Sequence, residues 1–352
     1  MDDTAQSARA GSDVPSLAPP LPRFAQIEPV GRCNLACRMC TVHERGDTVA
    51  ELSIERYVQL LDAMPGLERL HLQGLGEPML HPRFFDMVEI AARRGIRVSA
   101  NSNLTLLTER RAARCVSSGL AALSVSLDGA SAATYESIRR RASFAKVLRN
   151  LDRLVAARDA APPPRLEVRA VMVLMRGNLA ELPALLRLLH AHGVHELLVQ
   201  RLSSDLAQPE ADARYIPIRR YVESAELGEA DLPHARAVFE EARALAEAFG
   251  LRLHLPRLAA APASTPSPTR CGWPWEQLYV TAAGALLPCC MVATADRESF
   301  GEVFASGAAQ DSEPARLLER WHGAEAQAFR AALVSQAPPA VCRSCALYHG
   351  KF

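Results

Sequence analysis

LERLHLQGLGEPMLHPRFFDMVEIAARRGIRVSANSN, residues 67–103, decides the fold. LERLHLQG reads as a strand. PRFFDMVEIAARRG reads as a helix closed by Gly95, and IRVSANSN as the next strand. The same alternation continues on both sides. Upstream, Phe24, Ile27 and Val30 form a short apolar run that ends in a Gly-containing loop, and SIERYVQLLDAM opens a helix with Ser53 as its N-cap. Downstream, LTERRAARCVSSG, SFAKVLRNLDRLVAARDA, LAELPALLRLLHAHG and DLPHARAVFEEARALAEAFG read as helices. LAALSVSLDG, LEVRAVMVLM, VHELLVQRL and LRLHLP read as strands. A strand and a helix about every 30 residues is the mark of parallel βα units. The strand runs are near-continuously apolar, as expected where both sheet faces are covered. Six or seven units are too few for a closed eight-fold barrel. The fold class is therefore α/β, a partial (β/α)6 TIM-like barrel whose functional residues lie at the C-terminal ends of its strands.

RLAAAPASTPSPTR (257–270) is a Pro/Ala/Ser-rich linker. Beyond it the pattern changes to a small α+β unit: EQLYVTAAGALLPCC is a hairpin turning at Gly284, EPARLLERWHGAEAQAFRAALVSQ is a helix, and PPAVCRSCALYHG is a cysteine loop. The expected organisation is a disordered lead-in (1–22), a barrel (23–256), the linker (257–270) and a terminal domain (271–352). Formal net charge is +1, so no bulk attraction to nucleic acid or to an anionic membrane is implied. No apolar stretch is long enough to span a bilayer, and the N-terminus lacks a signal-peptide core. A cytoplasmic location, with reduced thiols, is expected.

Eight of the nine cysteines are clustered, which points to metal, and Cys115 stands alone. Cys33, Cys37 and Cys40 share one loop after the first strand. Three thiolates leave one coordination position open. His43 is near enough to close it as a fourth zinc ligand, and a zinc-stabilised binding protein is the reading without chemistry. An iron–sulfur cluster held by three cysteines would keep one iron accessible.

In this setting Cys33, Cys37 and Cys40 resemble the triad of the radical S-adenosylmethionine (SAM) enzymes. Met39 stands where the family often has an aromatic residue. The resemblance implies a [4Fe–4S] cluster whose open iron takes the methionine end of SAM. It also implies reductive cleavage to a 5′-deoxyadenosyl radical and removal of a substrate hydrogen. Gly74, Gly76 and Glu77, with Leu75 inserted, resemble the segment that binds the SAM amino group. Ser102 and Asn103 resemble a polar pair at the next strand end, and Ser126 and Asp128 match positions near the SAM ribose or carboxylate. Arg139 stands where an arginine can reach that carboxylate.

Cys271, Cys289, Cys342 and Cys345 resemble the shortened "twitch" form of the SPASM domain, which holds one auxiliary [4Fe–4S] cluster. Structural zinc remains the other reading, and Cys290 could replace Cys289. The resemblance implies two [4Fe–4S] clusters, SAM, a flavodoxin- or ferredoxin-type electron donor, and a small-molecule or peptide substrate. The implied reaction is an oxidation in which the auxiliary cluster accepts the substrate radical's electron, as in dehydrogenation of an aminocyclitol or sugar alcohol. Peptide maturation is an alternative. So is epimerisation, with Cys290 or Cys115 as hydrogen donor. The long segment 203–231 and the 41–51 loop are expected to cover the substrate, with Tyr215, Arg219, Arg220 and Tyr221 as polar contacts. His71 and His81 invite an acid–base reading; a cap or turn role suits His81 better.

Overall fold

The computed structural model describes residues 15–46, 49–202, 206, 213–258, 271–304, 315–335 and 337–350. The expected linker lies outside the described residues except for 257 and 258. The strands are β1 (Phe24–Ile27), β2 (Ala36–Cys37), β3 (Arg69–Leu72), β4 (Arg97–Ser102), β5 (Leu120–Ser126), β6 (Arg139–Arg140), β7 (Glu167–Leu174), β8 (Glu196–Arg201), β9 (Arg252–His254), β10 (Gln277–Val280) and β11 (Leu286–Leu287). The helices are α1 (Ile54–Asp62), α2 (Phe84–Arg93), α3 (Glu109–Ser117), α4 (Ala132–Ile138), α5 (Phe144–Ala160), α6 (Leu182–Ala191), α7 (Ile216–Ala225), α8 (Leu232–Phe249), α9 (Trp273–Glu276), α10 (Leu317–Trp321) and α11 (Ala324–Val334).

Among the described residues one nine-stranded sheet runs in the order β11-β10-β1-β3-β4-β5-β7-β8-β9. Every pairing from β10 to β9 is parallel, and only the β10–β11 hairpin is antiparallel. Among the described residues the strand order does not close on itself, so the barrel is open. Capping residues set the helix starts where the sequence places them: Ser53 Oγ accepts from Arg56 N and Thr108 Oγ1 from Arg111 N. Gly250 ends α8 in the left-handed region at φ +61°.

The strand faces differ from the expectation of continuous burial. Leu70, Leu72, Val98, Ala100, Leu123 and Val125 are buried in one core with helical residues such as Leu60, Met87 and Val88. Alternate positions such as His71, Ser99 and Asn101 are half-buried. Ser99 Oγ meets His71 Nδ1 at 2.9 Å, and Arg169 Nε donates to Ser124 Oγ at 2.7 Å. The other face is polar at these positions, while Val173 of β7 packs against the cluster that holds Ile218 and Val222 of α7.

The C-terminal region is built onto the same sheet. β10 pairs in register with β1, Phe24 opposite Gln277 through Ile27 opposite Val280. The expected hairpin turn is present, with Gly284 at φ +104°; a Cβ there would lie 2.5 Å from the Phe304 ring. The expected single helix over 313–336 is two, α10 and α11, broken at His322–Gly323. Residues 15–22, expected within a disordered lead-in, run instead through a clamp from this region. Trp275 Nε1 donates to Ser16 O at 2.8 Å and Arg330 Nη1 to Leu17 O at 2.8 Å. Trp321 Nε1 donates to Pro19 O at 2.9 Å, and His322 Nε2 meets the same carbonyl at 2.7 Å.

Glu28, just past β1, ties these parts together. It is fully buried and its carboxylate faces Arg45, 3.3 Å away, whose side chain is 2% exposed. The same carboxylate accepts from Leu75 N at 2.9 Å and from Ala282 N at 3.1 Å. Removing one partner of a buried ion pair leaves the other charge uncompensated, which costs about 3–5 kcal/mol. Arg45→Met is expected to lower the unfolding free energy by that amount, read from the denaturant midpoint. Adding Glu28→Gln is expected to recover part of the loss. Simple additivity of the two losses would contradict the pairing.

Candidate metal centre and barrel mouth

The loop after β1 carries Cys33, Cys37 and Cys40, all half-buried. A two-residue antiparallel ladder fixes it: β2 pairs with β6, setting Cys37 opposite Arg139 and Ala36 opposite Arg140. Arg38 N donates to Ile138 O at 3.0 Å beside it. His43 Nε2 meets Leu35 O at 2.7 Å. Its imidazole therefore braces the loop's own backbone instead of joining the thiols as a fourth ligand.

No thiolate is comfortable here without a cation. Burial raises the pKa of Cys33 and of Cys37, and it pushes Cys40 up to about 12, with the neighbouring Cys37 adding to the effect. A bound metal group supplies the missing positive charge and deprotonates its thiols. Among the described residues no three His, Cys, Asp or Glu side chains close around a single point as the ligands of one ion do. In a cluster each cysteine binds a different iron, so its ligands need not. Three half-buried thiols on one loop, with His43 turned away, fit a cluster with one open iron.

The structure gathers most of the expected cofactor residues around this loop. Glu77 is 3% exposed; its carboxylate accepts from Ser102 Oγ and Asn103 N, both at 2.8 Å, and from Met79 N at 3.2 Å. Burial raises its pKa. Glu77 thus latches the end of β3 to the end of β4. Asn103 Nδ2 lies 3.8 Å from Cys33 Sγ and donates to Asn34 Oδ1 at 3.1 Å. Asp128, fully buried, accepts from Val173 N at 2.8 Å and faces Arg139 Nε at 2.7 Å. Arg139 Nη1 lies 3.9 Å from Cys37 Sγ. Arg139 is thus held on Asp128 and on a cysteine of the triad. Ser126 stands half-buried at the end of β5.

The two glycines serve the chain's own packing. A Cβ on Gly74 would lie 2.3 Å from the Glu28 side chain, and one on Gly76 would lie 1.8 Å from Val30 O. With the amides of Leu75 and Gly76 both directed at Glu28 Oε1, the trans peptides turn the carbonyls of Gly74 and Leu75 the opposite way. Sequence reasoning missed Glu28. Its signal was an acidic residue inside the apolar run FAQIEPV.

The second cysteine set also comes together. Cys342 and Cys345 are buried in the main core, and Cys271 and Cys289 pack against it. Burial raises Cys289 well above the ordinary thiol value, and Cys290, Cys345 and Cys271 are close enough to add to the shift. Cys342 and Cys345 share one turn, Cys345 N donating to Cys342 O at 3.2 Å. Cys290 is half-buried beside Cys289. Cys115 is fully buried in the main core on α3, where burial raises its pKa to about 12.

The covering segment differs from a loop. It contains α7, and Tyr215 faces the C-terminal region: its hydroxyl donates to Asp296 at 3.0 Å and meets Thr294 Oγ1 at 3.2 Å. Asp296 also accepts from Gly46 N at 3.2 Å and Arg214 Nη2 at 3.1 Å. One carboxylate thereby joins the 41–51 loop, the start of α7 and the loop after β11. Tyr221 lies under the Arg38 guanidinium at 4.5 Å, and Arg219 pairs with Glu223 at 2.9 Å. His81 Nε2 meets Leu52 O at 3.0 Å, and its Nδ1 accepts from Arg83 N at 3.1 Å, a turn-bracing role.

Residues 27–189 match the model of the radical SAM superfamily, and residues 271–346 match the SPASM model, an iron–sulfur cluster-binding domain. The chain thus holds a radical SAM domain and, after it, a SPASM domain. Its cofactors are SAM and iron–sulfur clusters, a [4Fe–4S] cluster among them. It is 27% identical over 183 residues to the tungsten-containing aldehyde ferredoxin oxidoreductase cofactor-modifying protein of Pyrococcus furiosus, covering 51% of each chain. It is 31% identical over 174 residues to the GTP 3′,8-cyclase of Chlorobaculum tepidum, covering 48% of this chain and 50% of that one. With the mycofactocin maturase MftC of Mycobacterium ulcerans it shares 29% identity over 151 residues, 43% of this chain and 39% of that one. The chain spans about half the length, or less, of these curated relatives. In fold it is similar to Streptococcus suis SuiB bound to SAM, with a TM-score of 0.64 at 13% identity, covering 94% of this chain and 72% of that one. SuiB bound to its precursor peptide SuiA gives 0.58 at 14% identity, covering 94% and 70%. Among the described residues no helix is long and apolar enough to cross a membrane.

His71 yields a pH prediction. Burial, opposed by its contact with Gln73, lowers its pKa to about 4. Between that value and the unfolded value near 6.5 the unfolded chain binds the extra proton, so stability falls as pH drops through this window. The His71 contribution is on the order of 3 kcal/mol. His71→Gln is expected to flatten the acid limb of the stability curve; an unchanged limb would contradict it.

Proposed function

We propose that the chain is a radical SAM oxidoreductase that oxidises an alcohol or amine carbon of its substrate, with an aminocyclitol or sugar alcohol as the first class to test. The observation that carries this reading is the second thiol set. Cys271, Cys289, Cys342 and Cys345 pack in or against the core cluster that the hairpin strand β10 shares with β1. An electron acceptor held there is fixed relative to the mouth from which Cys33, Cys37 and Cys40 project.

Bound at the triad, SAM and its cluster would supply the radical that removes a substrate hydrogen atom. The chain's own residues orient and shield that event. The carbonyls of Gly74 and Leu75, turned outward by Glu28, suit an ammonium group. Arg139 and Asp128 keep the Cys37 side of the loop charge-balanced. α7, clasped to the C-terminal region by Tyr215 and Asp296, limits access to the mouth. The reducing cytoplasm and a small acidic electron carrier complete the proposed setting.

Peptide maturation is the second reading. The similarity to MftC, named a maturase, and to SuiB, solved with a precursor peptide, favours it. Anaerobically reconstituted protein is expected to hold about eight irons. Cys342→Ala with Cys345→Ala is expected to reduce that to about four and to keep SAM cleavage under dithionite. Conversion of a deuterated secondary alcohol to its ketone, with the label recovered in 5′-deoxyadenosine, is expected in the parent and lost in this variant. Label transfer from peptides alone would establish the second reading, and ketone formation undiminished in the variant would contradict electron acceptance at the second site.

A further inference from the structure

An open groove of about 620 Å³ lies on the barrel rim between the start of α3 and α5. Its lining includes Thr105, Glu109, Arg110, Arg111, Lys146 and Arg153. Four cations face one carboxylate there, in a chain whose formal net charge is only +1. Arg110, Lys146 and Arg153 are exposed. Arg111 and Arg153 are steadied by Leu106 O at 2.6 Å and Asn150 Oδ1 at 2.7 Å. A basic face alone is commonplace on a solvated helix. What sets this one apart is its floor.

Thr105 is 5% exposed and lines the groove. Its hydroxyl accepts from Asn34 Nδ2 at 2.8 Å and donates to Asn103 Oδ1 at 2.6 Å. Asn103 Nδ2 in turn lies 3.8 Å from Cys33 Sγ. Asn34 is also the covalent neighbour of Cys33. The groove floor is thus one hydrogen-bonded residue away from a sulfur of the triad. On the neighbouring side of the loop, Cys37 is covered by Arg139 and the β2–β6 ladder.

We propose that this groove is the docking site for an acidic one-electron carrier protein, which reduces the cluster held at Cys33, Cys37 and Cys40. The inference rests on that cluster being present. The carrier gives up one electron and the oxidised cluster gains it, with no bond or proton changing hands at the groove. Charge complementarity suits such a partner. Encounters between redox proteins are brief and small in area, and opposite surface potentials raise their association rate while releasing the product readily. The short Thr105–Asn103–Cys33 contact chain gives the arriving electron a packed route in place of open solvent.

The test uses reconstituted holoprotein and reduced flavodoxin as the probe. Two readouts are taken at low and high salt: flavodoxin affinity by titration, and the rate of cluster bleaching without SAM. Arg110→Glu with Lys146→Glu is expected to lower both by about tenfold or more at low salt and to flatten the salt dependence. Arg110→Gln with Lys146→Gln is expected to fall between. Bleaching by dithionite, which needs no docking, is expected to stay at the parent rate in all variants. Flavodoxin-driven reduction at the parent rate in the charge-reversed protein would overturn the docking site, and so would a parallel fall with dithionite. A parent holoprotein with no dithionite-reducible cluster would instead defeat the reading of the triad itself, and the docking proposal with it.

Discussion

Glu28 lies fully buried at the mouth of the barrel, and three segments distant in sequence are arranged around its carboxylate. Arg45 brings in the chain that follows the cysteine triad, Leu75 N brings in the loop after β3, and Ala282 N brings in the hairpin of the C-terminal region. A buried carboxylate is tolerable only when its charge and lone pairs are matched. That demand fixes where the partners stand. Gly74 has to lack a side chain because the carboxylate fills the space a Cβ would take. The cysteine loop, the loop after β3 and the hairpin of the C-terminal region therefore hold a defined mutual position.

A second electrostatic constraint acts on the thiols. Their burial opposes ionisation, and the nearest cation, Arg139, is already balanced by Asp128. The arrangement is stable as thiols or as cluster ligands and unfavourable as free thiolates. Both cysteine sets share this property, since Cys289 is raised by burial and by its neighbouring cysteines. The metal groups thus complete the charge pattern of the folded chain.

Much of this architecture was legible in the sequence. The apolar runs ending in Gly74, Asn103 and Asp128 marked the parallel strands, and capping at Ser53 placed a helix start. The cysteine spacings set two groups of thiols apart from the lone Cys115. What was hidden depends on pairings between distant segments. The β2–β6 ladder has two residues per strand and no propensity signal, yet it sets Cys37 against Arg139. The clamp on residues 15–22 reads as a Pro-rich lead-in until Trp275, Trp321 and Arg330 are seen to hydrogen-bond its carbonyls. Gly323, which divides α10 from α11, was visible but outweighed by helix formers on both sides. Tyr215 was singled out for a substrate role, whereas the structure turns it to Asp296, a residue with no local mark of its partner.

The similarity to relatives extends over about half of their lengths, and the proposed chemistry rests on the triad. Electron paramagnetic resonance of the reduced triad cluster, in a Cys342→Ala/Cys345→Ala background, is the most direct measurement. Adding SAM with an isotope-labelled amino nitrogen is expected to shift the spectrum and to show coupling to that nitrogen, as an open iron requires. A spectrum indifferent to SAM, or one already coupled to the His43 imidazole, would contradict an open iron at Cys33, Cys37 and Cys40.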